Sequence, residues 1–365
     1  EFKSEFDKIG FQTKWIEMPT EMNRAGHMFA YKKGSKGKKL LLIGHLDTVF
    51  EENSPFQTFE RKDSIAHAPG GNDMKGGNVV ALYALKSLHE LNLLKNATIT
   101  VAFTGDEEST GKPLTISRKD LIEAAKDSDI AIGFENSTGY NDATIARRGS
   151  SNWSVSSSGK RHHSSEIFSD EVGAGAIFEI SRILNKFYEE VKGEELLTFN
   201  PGIIIGGTFA DFDKSKSEGN VFGKTNVVAQ TARVDGGLRF ISEDQKNRAR
   251  EKMKKIVEKS LPNTESNIKF EDSYPAMGPS EGNIKLLKVF NDVSISLGQG
   301  EVNAYDPLKR GAADISFVAE YVDGIDGLGA MGDGGHTLQE TINLNTMEDI
   351  IIRTAIFIYR LINTN

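Results

Sequence analysis

The chain contains no cysteine, so disulfides and thiolate metal ligands are both excluded, and a tightly held metal would have to rest on histidine and carboxylate. Histidine is itself scarce, seven in 365 residues, so each one can be weighed. No apolar run approaches the roughly 20 residues that a membrane-spanning helix needs. The longest candidate, 350–362, is interrupted by Arg353 and Arg360. A surplus of positive charge is missing too: 44 Lys and Arg stand against 52 Asp and Glu, a net charge of −8. Nucleic-acid binding relies on clustered cations that neutralise phosphates, so that class of partner is disfavoured, as is a membrane. A small molecule or peptide remains. The lack of cysteine leans towards a periplasmic or secreted protein over a cytoplasmic one, and the start at Glu1 rather than Met puts the native N-terminus and any signal peptide out of view.

Glycine, by contrast, is plentiful at 36 residues, and the length exceeds what one core usually supports, so two lobes with many tight turns are expected. The runs 39–44 (KLLLIG), 97–103 (ATITVAF) and 129–134 (DIAIGF) look like strands buried on both faces. Helical spacing of apolar residues over 77–94 and 118–126 places helices between them, which predicts an α/β layer with a mixed, largely parallel sheet flanked by helices. After about residue 148 the texture changes. SSNWSVSSSGK and TNVVAQTARVDGGLRFIS alternate in strand fashion, each followed by a helix (174–191 and 243–261), in the β-α-β-β-α-β order of a ferredoxin-like α+β module. The first texture returns near residue 275 with helices at 283–297 and 347–362. One catalytic domain (1–148 and 275–365) interrupted by an inserted domain (149–274) is expected. Residues 214–220 (KSKSEGN) read as a loop.

Candidate chemistry gathers at strand ends. His45 and Asp47 share GHLDTV, a spacing at which a carboxylate can orient an imidazole and strengthen it as a metal ligand; the same pair also suits a simple polar turn. Asp73 lies between glycine pairs in APGGNDMKGG, either capping the following helix or presented where backbone approaches something closely. Glu107 and Glu108 end one strand in GDEE, Glu135 ends the next in GFEN, and His336 sits in the glycine-rich MGDGGHTLQE. In an open α/β sheet the carboxyl ends of the strands line the ligand crevice, so His45, Glu107, Glu108 and Glu135 are expected to converge there, with Asp73 between them and the His336 loop free to be shaped around the site. Two histidines and three carboxylates suit two divalent ions, zinc first, with cobalt or manganese also compatible. His27 and His89 lack such neighbours and read as structural or solvent-facing.

GHLDTV, GGNDMKGG, GDEE, FEN and GGHT, in that order and spanning nearly the whole chain, resemble the co-catalytic dizinc aminoacylase/carboxypeptidase family, which includes glutamate carboxypeptidase, acetylornithine deacetylase and succinyl-diaminopimelate desuccinylase. The resemblance implies that His45 and Glu135 hold one metal, Glu108 and His336 the other, and that Asp73 bridges them. Asp47 would orient His45, Glu107 would act as catalytic base, and a cis peptide would follow Asp73. In GKRHHSSE, His163 would reach across a homodimer, formed through the inserted domain, to the partner's site. Asn226 and Arg239 would contact the substrate carboxylate and oxyanion, and Ala312 would lie in the substrate-contacting stretch.

There are departures from the family pattern. Ser164-Ser165 replace Ala-Gly after His163, RGAAD (310–314) stands for GGGTD, Tyr274 replaces the Arg of glutamate-preferring members, and His67 replaces a common Tyr. The expected activity is therefore hydrolysis of an amide next to a free carboxylate, as a carboxypeptidase or dipeptidase, by metal-activated water with Glu107 as general base. N-acyl-amino-acid deacylation by the same chemistry is the alternative, and a metal-free binding protein the distant one.

Overall fold

The computed structural model describes residues 1–214 and 216–364. Two compact units emerge, one made of Glu1–Arg147 with Met277–Asn365, the other of Arg148–Ala276.

The first unit is built on a six-stranded sheet ordered Gln12–Ile16, His27–Lys32, Ile99–Thr104, Leu40–His45, Ile130–Gly133, Asp323–Ile325. The first two pairings are antiparallel and the remaining three are parallel. Leu40–His45 is buried at every position, and the alternation of side chains explains why it had to be apolar up to the closing His45. Leu40 and Leu42 enter a core with Val80, Leu85, Leu88, Phe357 and Ile358, from the helices Gly76–Glu90 and Met347–Ile362. Leu41 and Ile43 face the other way, onto Leu121, Ala125, Ile315 and Val318.

The glycine pair that opens the Gly76–Glu90 helix has a steric reason. A Cβ on Gly77 would lie 1.9 Å from the carbonyl oxygen of Phe134, so the helix can reach the sheet's carboxyl edge only with glycine there. Beside it runs a small antiparallel sheet ordered Gly332–Asp333, Thr341–Asn343, Ile65–His67, Glu60–Lys62. It carries the glycine-rich 330–340 stretch alongside the 60–70 segment.

The second unit has a four-stranded antiparallel sheet ordered Thr198–Gly207, Thr231–Phe240, Gly149–Gly159, Thr264–Asp272, with helices Ala176–Glu190 and Glu243–Val257. Burial alternates strictly along Gly149–Gly159, so one face packs on the helices through Trp153 and Val155. Ser242 caps its helix by accepting the Gln245 N–H. The expected loop over 214–220 is corrected in part: Glu218–Phe222 is a strand, paired with Phe209–Asp213 as a hairpin. Ser215, within that expected loop, lies outside the described residues. Among the described residues no helix is long and apolar enough to cross a membrane.

Candidate metal centre

Every candidate ligand of the first unit is delivered by the end of an apolar strand or by a turn packed on those ends. His45 closes its strand and is buried, while Glu107 and Glu108 follow Ile99–Thr104 by three and four residues. Glu135 comes two residues after Ile130–Gly133. Asp73 sits in the wide turn Gly71–Lys75, where its backbone leaves helical geometry, and the Asp73–Met74 peptide is cis. It does not cap the following helix, which has no side-chain cap. His336 adopts the left-handed backbone region at φ 63°.

These side chains meet. His45 Nε2 lies 3.3 Å from Asp73 Oδ1 and 3.8 Å from Glu135 Oε1. His336 Nε2 lies 3.1 Å from Asp73 Oδ2 and 3.4 Å from Glu108 Oε2. Asp73 thus turns one oxygen to each histidine. Within the triads His45–Asp73–Glu135, His45–Glu107–Glu108 and Asp73–Glu108–His336, the ligand-type atoms all lie within 4.8 Å of one another.

The charges are arranged at some cost. Burial, then the charge of Asp73, push Glu135 up to about 8. The same two causes push Glu108 up to about 7. Burial and the charge of Glu135 hold Glu107 well above the ordinary carboxyl range. His336, accepting the influence of the Asp73 carboxylate beside it, is raised to about 9. Burial opposes ionisation of Asp73, but hydrogen bonds from His336 and His45 outweigh it and keep the carboxyl ionised. Four acids crowded against one another need more positive charge than two imidazoles supply. Glu108 Oε1 is buried without a hydrogen-bond partner. An all-His/carboxylate donor set with an orphaned buried oxygen fits divalent cations.

A second ring of buried and half-buried groups holds the segments that carry the candidate ligands. Asp47 lies 3.3 Å from His45 Nδ1 and accepts the N–H groups of Glu107 and Glu108 at 3.1 and 2.9 Å. Asp326 accepts the Glu135 N–H at 3.3 Å and pairs with Arg147 at 2.7 Å. Asp106 accepts hydrogen bonds from Ser117 Oγ and the Gly111 N–H, both at 2.8 Å, and from Arg118 Nη1, while Arg118 Nε donates to Asp314. His27 is buried in the same cluster, its Nε2 2.8 Å from the Ser117 carbonyl oxygen. Glu340 accepts three N–H groups around Asp73. Sequence reading missed the roles of Arg118, Arg147, Asp314, Asp326 and Glu340, because their partners lie from 12 to 270 residues away for most bonds and pairing at such range leaves no local pattern. A lone acid four residues after a candidate ligand histidine was the one available signal, for Glu340.

The remaining candidates lie elsewhere. Ala312 is half-buried in the first unit, next to Gly311, whose carbonyl oxygen accepts from Arg147 Nη1. His163 and Asn226 are neighbours in the second unit: the Ser164 N–H donates to the Asn226 carbonyl, and His163 bridges to Val227. His163 is exposed, with Nδ1 2.7 Å from Ser165 Oγ. Arg239 is exposed at the opposite end of the Thr231–Phe240 strand, facing Ser150 and Thr198 in register. Eight residues separate it from the Thr231 end, roughly 26 Å at strand rise. The structure therefore brings His163 and Asn226 together and does not bring Arg239 to them.

A mostly parallel sheet with a carboxylate and imidazole cluster at its carboxyl edge, together with the likenesses that follow, marks the chain as a metal-dependent hydrolase of amide bonds. The chain belongs to peptidase family M20/M25/M40, whose family model matches residues 41–363. It is 29% identical to carboxypeptidase G2 of Pseudomonas sp. (strain RS-16), over 84% of this chain and 69% of that one. It is 26% identical to a probable succinyl-diaminopimelate desuccinylase of Staphylococcus aureus (strain MRSA252), over 96% and 88%. Among solved structures, aminopeptidase PepT of Bacillus cereus superposes with a TM-score of 0.76 at 18% identity, covering 99% of this chain and 91% of that one. Enzymes of this family use divalent metals, in keeping with the His and carboxylate groups gathered here.

Proposed function

We propose that the protein hydrolyses an amide bond next to a free carboxylate, as a carboxypeptidase or dipeptidase, using two divalent ions with zinc as first candidate and cobalt or manganese as alternatives. The observation that carries the reading is Asp73, with one oxygen toward His45 and the other toward His336. His45 with Glu135, and Glu108 with His336, would each hold one ion, and Asp73 both. When bound, the ions supply Lewis-acid polarisation of the scissile carbonyl and make water acidic enough to lose a proton near neutral pH.

Glu107 takes that proton and returns it to the leaving nitrogen. Burial and the charge of Glu135 raise the Glu107 carboxyl above the ordinary range, which strengthens it as a proton acceptor. Asp47 keeps His45 in one tautomer while anchoring the Glu107 and Glu108 backbone.

His163 of a second copy would stabilise the developing oxyanion, and Asn226, whose carbonyl accepts the N–H of the adjoining Ser164, would arrive with it. The second unit offers surface for such pairing. Thr198–Gly207 is an edge strand with Ile204 exposed, and Ile177 and Phe178 are exposed on the Ala176–Glu190 helix. Arg239 would grip a substrate carboxylate with its guanidinium fork, and backbone near Ala312 would line the substrate.

N-acyl-amino-acid deacylation is the second reading, favoured by the nearly full-length likeness to a probable desuccinylase. A panel of dipeptides and N-acyl amino acids, each assayed with zinc, cobalt and manganese, separates the two. Dipeptide hydrolysis is expected. Turnover confined to N-acyl amino acids would favour the second reading, and no turnover together with no metal uptake would leave a binding protein.

A further inference from the structure

Glu340 has no solvent exposure, yet it is an acid placed beside a cluster that is already rich in acids. Its surroundings explain the choice of side chain. Oε1 accepts the N–H of Asn72 at 2.8 Å and of Asp73 at 2.9 Å, and Oε2 accepts the N–H of Gly70 at 3.0 Å. Three backbone donors converge on one side chain with two acceptor atoms and no donor, a demand that a carboxylate meets and a carboxamide does not. The segment that presents Glu340 is equally constrained. Its own N–H bonds to the Thr337 carbonyl, the Thr337 N–H bonds to Gly334, and the next residue, Thr341, pairs in register with His67. His336 lies four residues upstream on the same stretch, its Nε2 3.1 Å from Asp73.

We infer that Glu340 is a positioning residue that locks the backbone of the Asp73 turn to the His336 stretch, so that the two are presented together to a metal ion. The inference rests on the reading of Asp73 and His336 as ligands. Asp47 provides an internal parallel, since it too uses both oxygens on the backbone N–H groups of the acids it serves, Glu107 and Glu108. Without the Glu340 carboxylate the three N–H groups lose their acceptor, and the Asp73 peptide is free to rotate its oxygens away from the point where both histidines meet them.

The test is a competition titration of zinc against a chromogenic chelator, on folded full-length protein, comparing wild type with Glu340→Gln. The wild type is expected to bind two ions, and the variant to lose tenfold or more in affinity for at least one of them, with turnover recovering as free zinc is raised. Ile358→Ala, a core change in the Met347–Ile362 helix, controls for destabilisation and should lower the melting temperature with zinc affinity unchanged. Unchanged zinc affinity in folded Glu340→Gln would overturn the inference alone; a wild type that binds no zinc would overturn the ligand reading beneath it. Should Glu340→Gln not fold, hydrogen exchange on the metal-free wild type decides: the Asn72 and Asp73 amides must be protected, and exchange at the rate of an open loop would overturn the lock.

Discussion

Glu107 and Glu108 are adjacent, yet the chemistry asked of them differs. Glu108 lies 3.4 Å from His336, while Glu107 groups with His45. Replacing Glu107 by Ala should leave metal content near two ions per chain while lowering turnover on the order of a thousandfold or more. Elemental analysis alongside initial rates checks both parts, and near-normal turnover would remove Glu107 as the base. The raised acids make a second prediction. In the metal-free protein near pH 7, Glu135 at about 8 and Glu108 at about 7 retain much of their protons, and His336 at about 9 is protonated. Metal must displace those protons, so uptake should release them and tighten as pH rises from about 6 to 8. Calorimetry in two buffers of different ionisation enthalpy reads the number released. The stability of the metal-free form follows the same sign. Groups raised above their unfolded values of 4.5 and 6.5 bind more protons folded than unfolded, so their contribution is fully present below those values and is lost as pH climbs through about 7 to 9. Melting temperatures of chelator-treated protein should fall over that window, and zinc-loaded protein should not follow.

At the scale of elements, the candidate site depends on how closely the Gly76–Glu90 helix approaches the end of Ile130–Gly133. Gly77→Ala would drive a methyl against the Phe134 carbonyl, one residue before Glu135. A cost of about 1 to 3 kcal/mol is expected from such overpacking, read by urea denaturation, together with weaker metal binding. A change in stability below about 0.5 kcal/mol, the range of ordinary surface substitutions, would show that the approach is not tight. Elements with a strong local pattern were legible before any coordinates. The apolar run in KLLLIG became Leu40–His45, and the closing helix runs over Met347–Ile362 as expected. The hairpin Phe209–Asp213 with Glu218–Phe222 was not, because all five residues of its second strand are exposed and its sequence is as polar as a loop. The small sheet that carries 60–67 beside 332–343 was missed for a different reason. Its strands are two or three residues long, too short for any period to register.

For the whole molecule, the proposal that His163 acts on a partner's site has a direct consequence. Glu107→Ala and His163→Ala homodimers should each be nearly inactive. Mixing them under conditions that exchange subunits should restore activity, since a heterodimer then holds one site with both groups intact. Absence of any recovery in a mixture shown to exchange would sink the trans arrangement. Sedimentation at micromolar concentration adds a simpler check, for a monomer cannot use His163 in this way.

Composition and order alone determined much about this chain. The absence of cysteine confined metal ligation to His, Asp and Glu, and apolar runs ending in GHLDTV, GDEE and GFEN announced a buried sheet with its polar groups at one edge. Those inferences are sound because burial of strands and ligand chemistry are written in residue type and short spacing. Only the tertiary structure decided which groups meet: that Asp73 turns one oxygen to His45 and the other to His336, that Glu340 closes on three N–H groups some 270 residues away, and that Asn226 travels with His163 while Arg239 stands at the far end of a strand. Such pairings depend on distances between segments far apart in the chain, and no local pattern of residues encodes a distance of that kind.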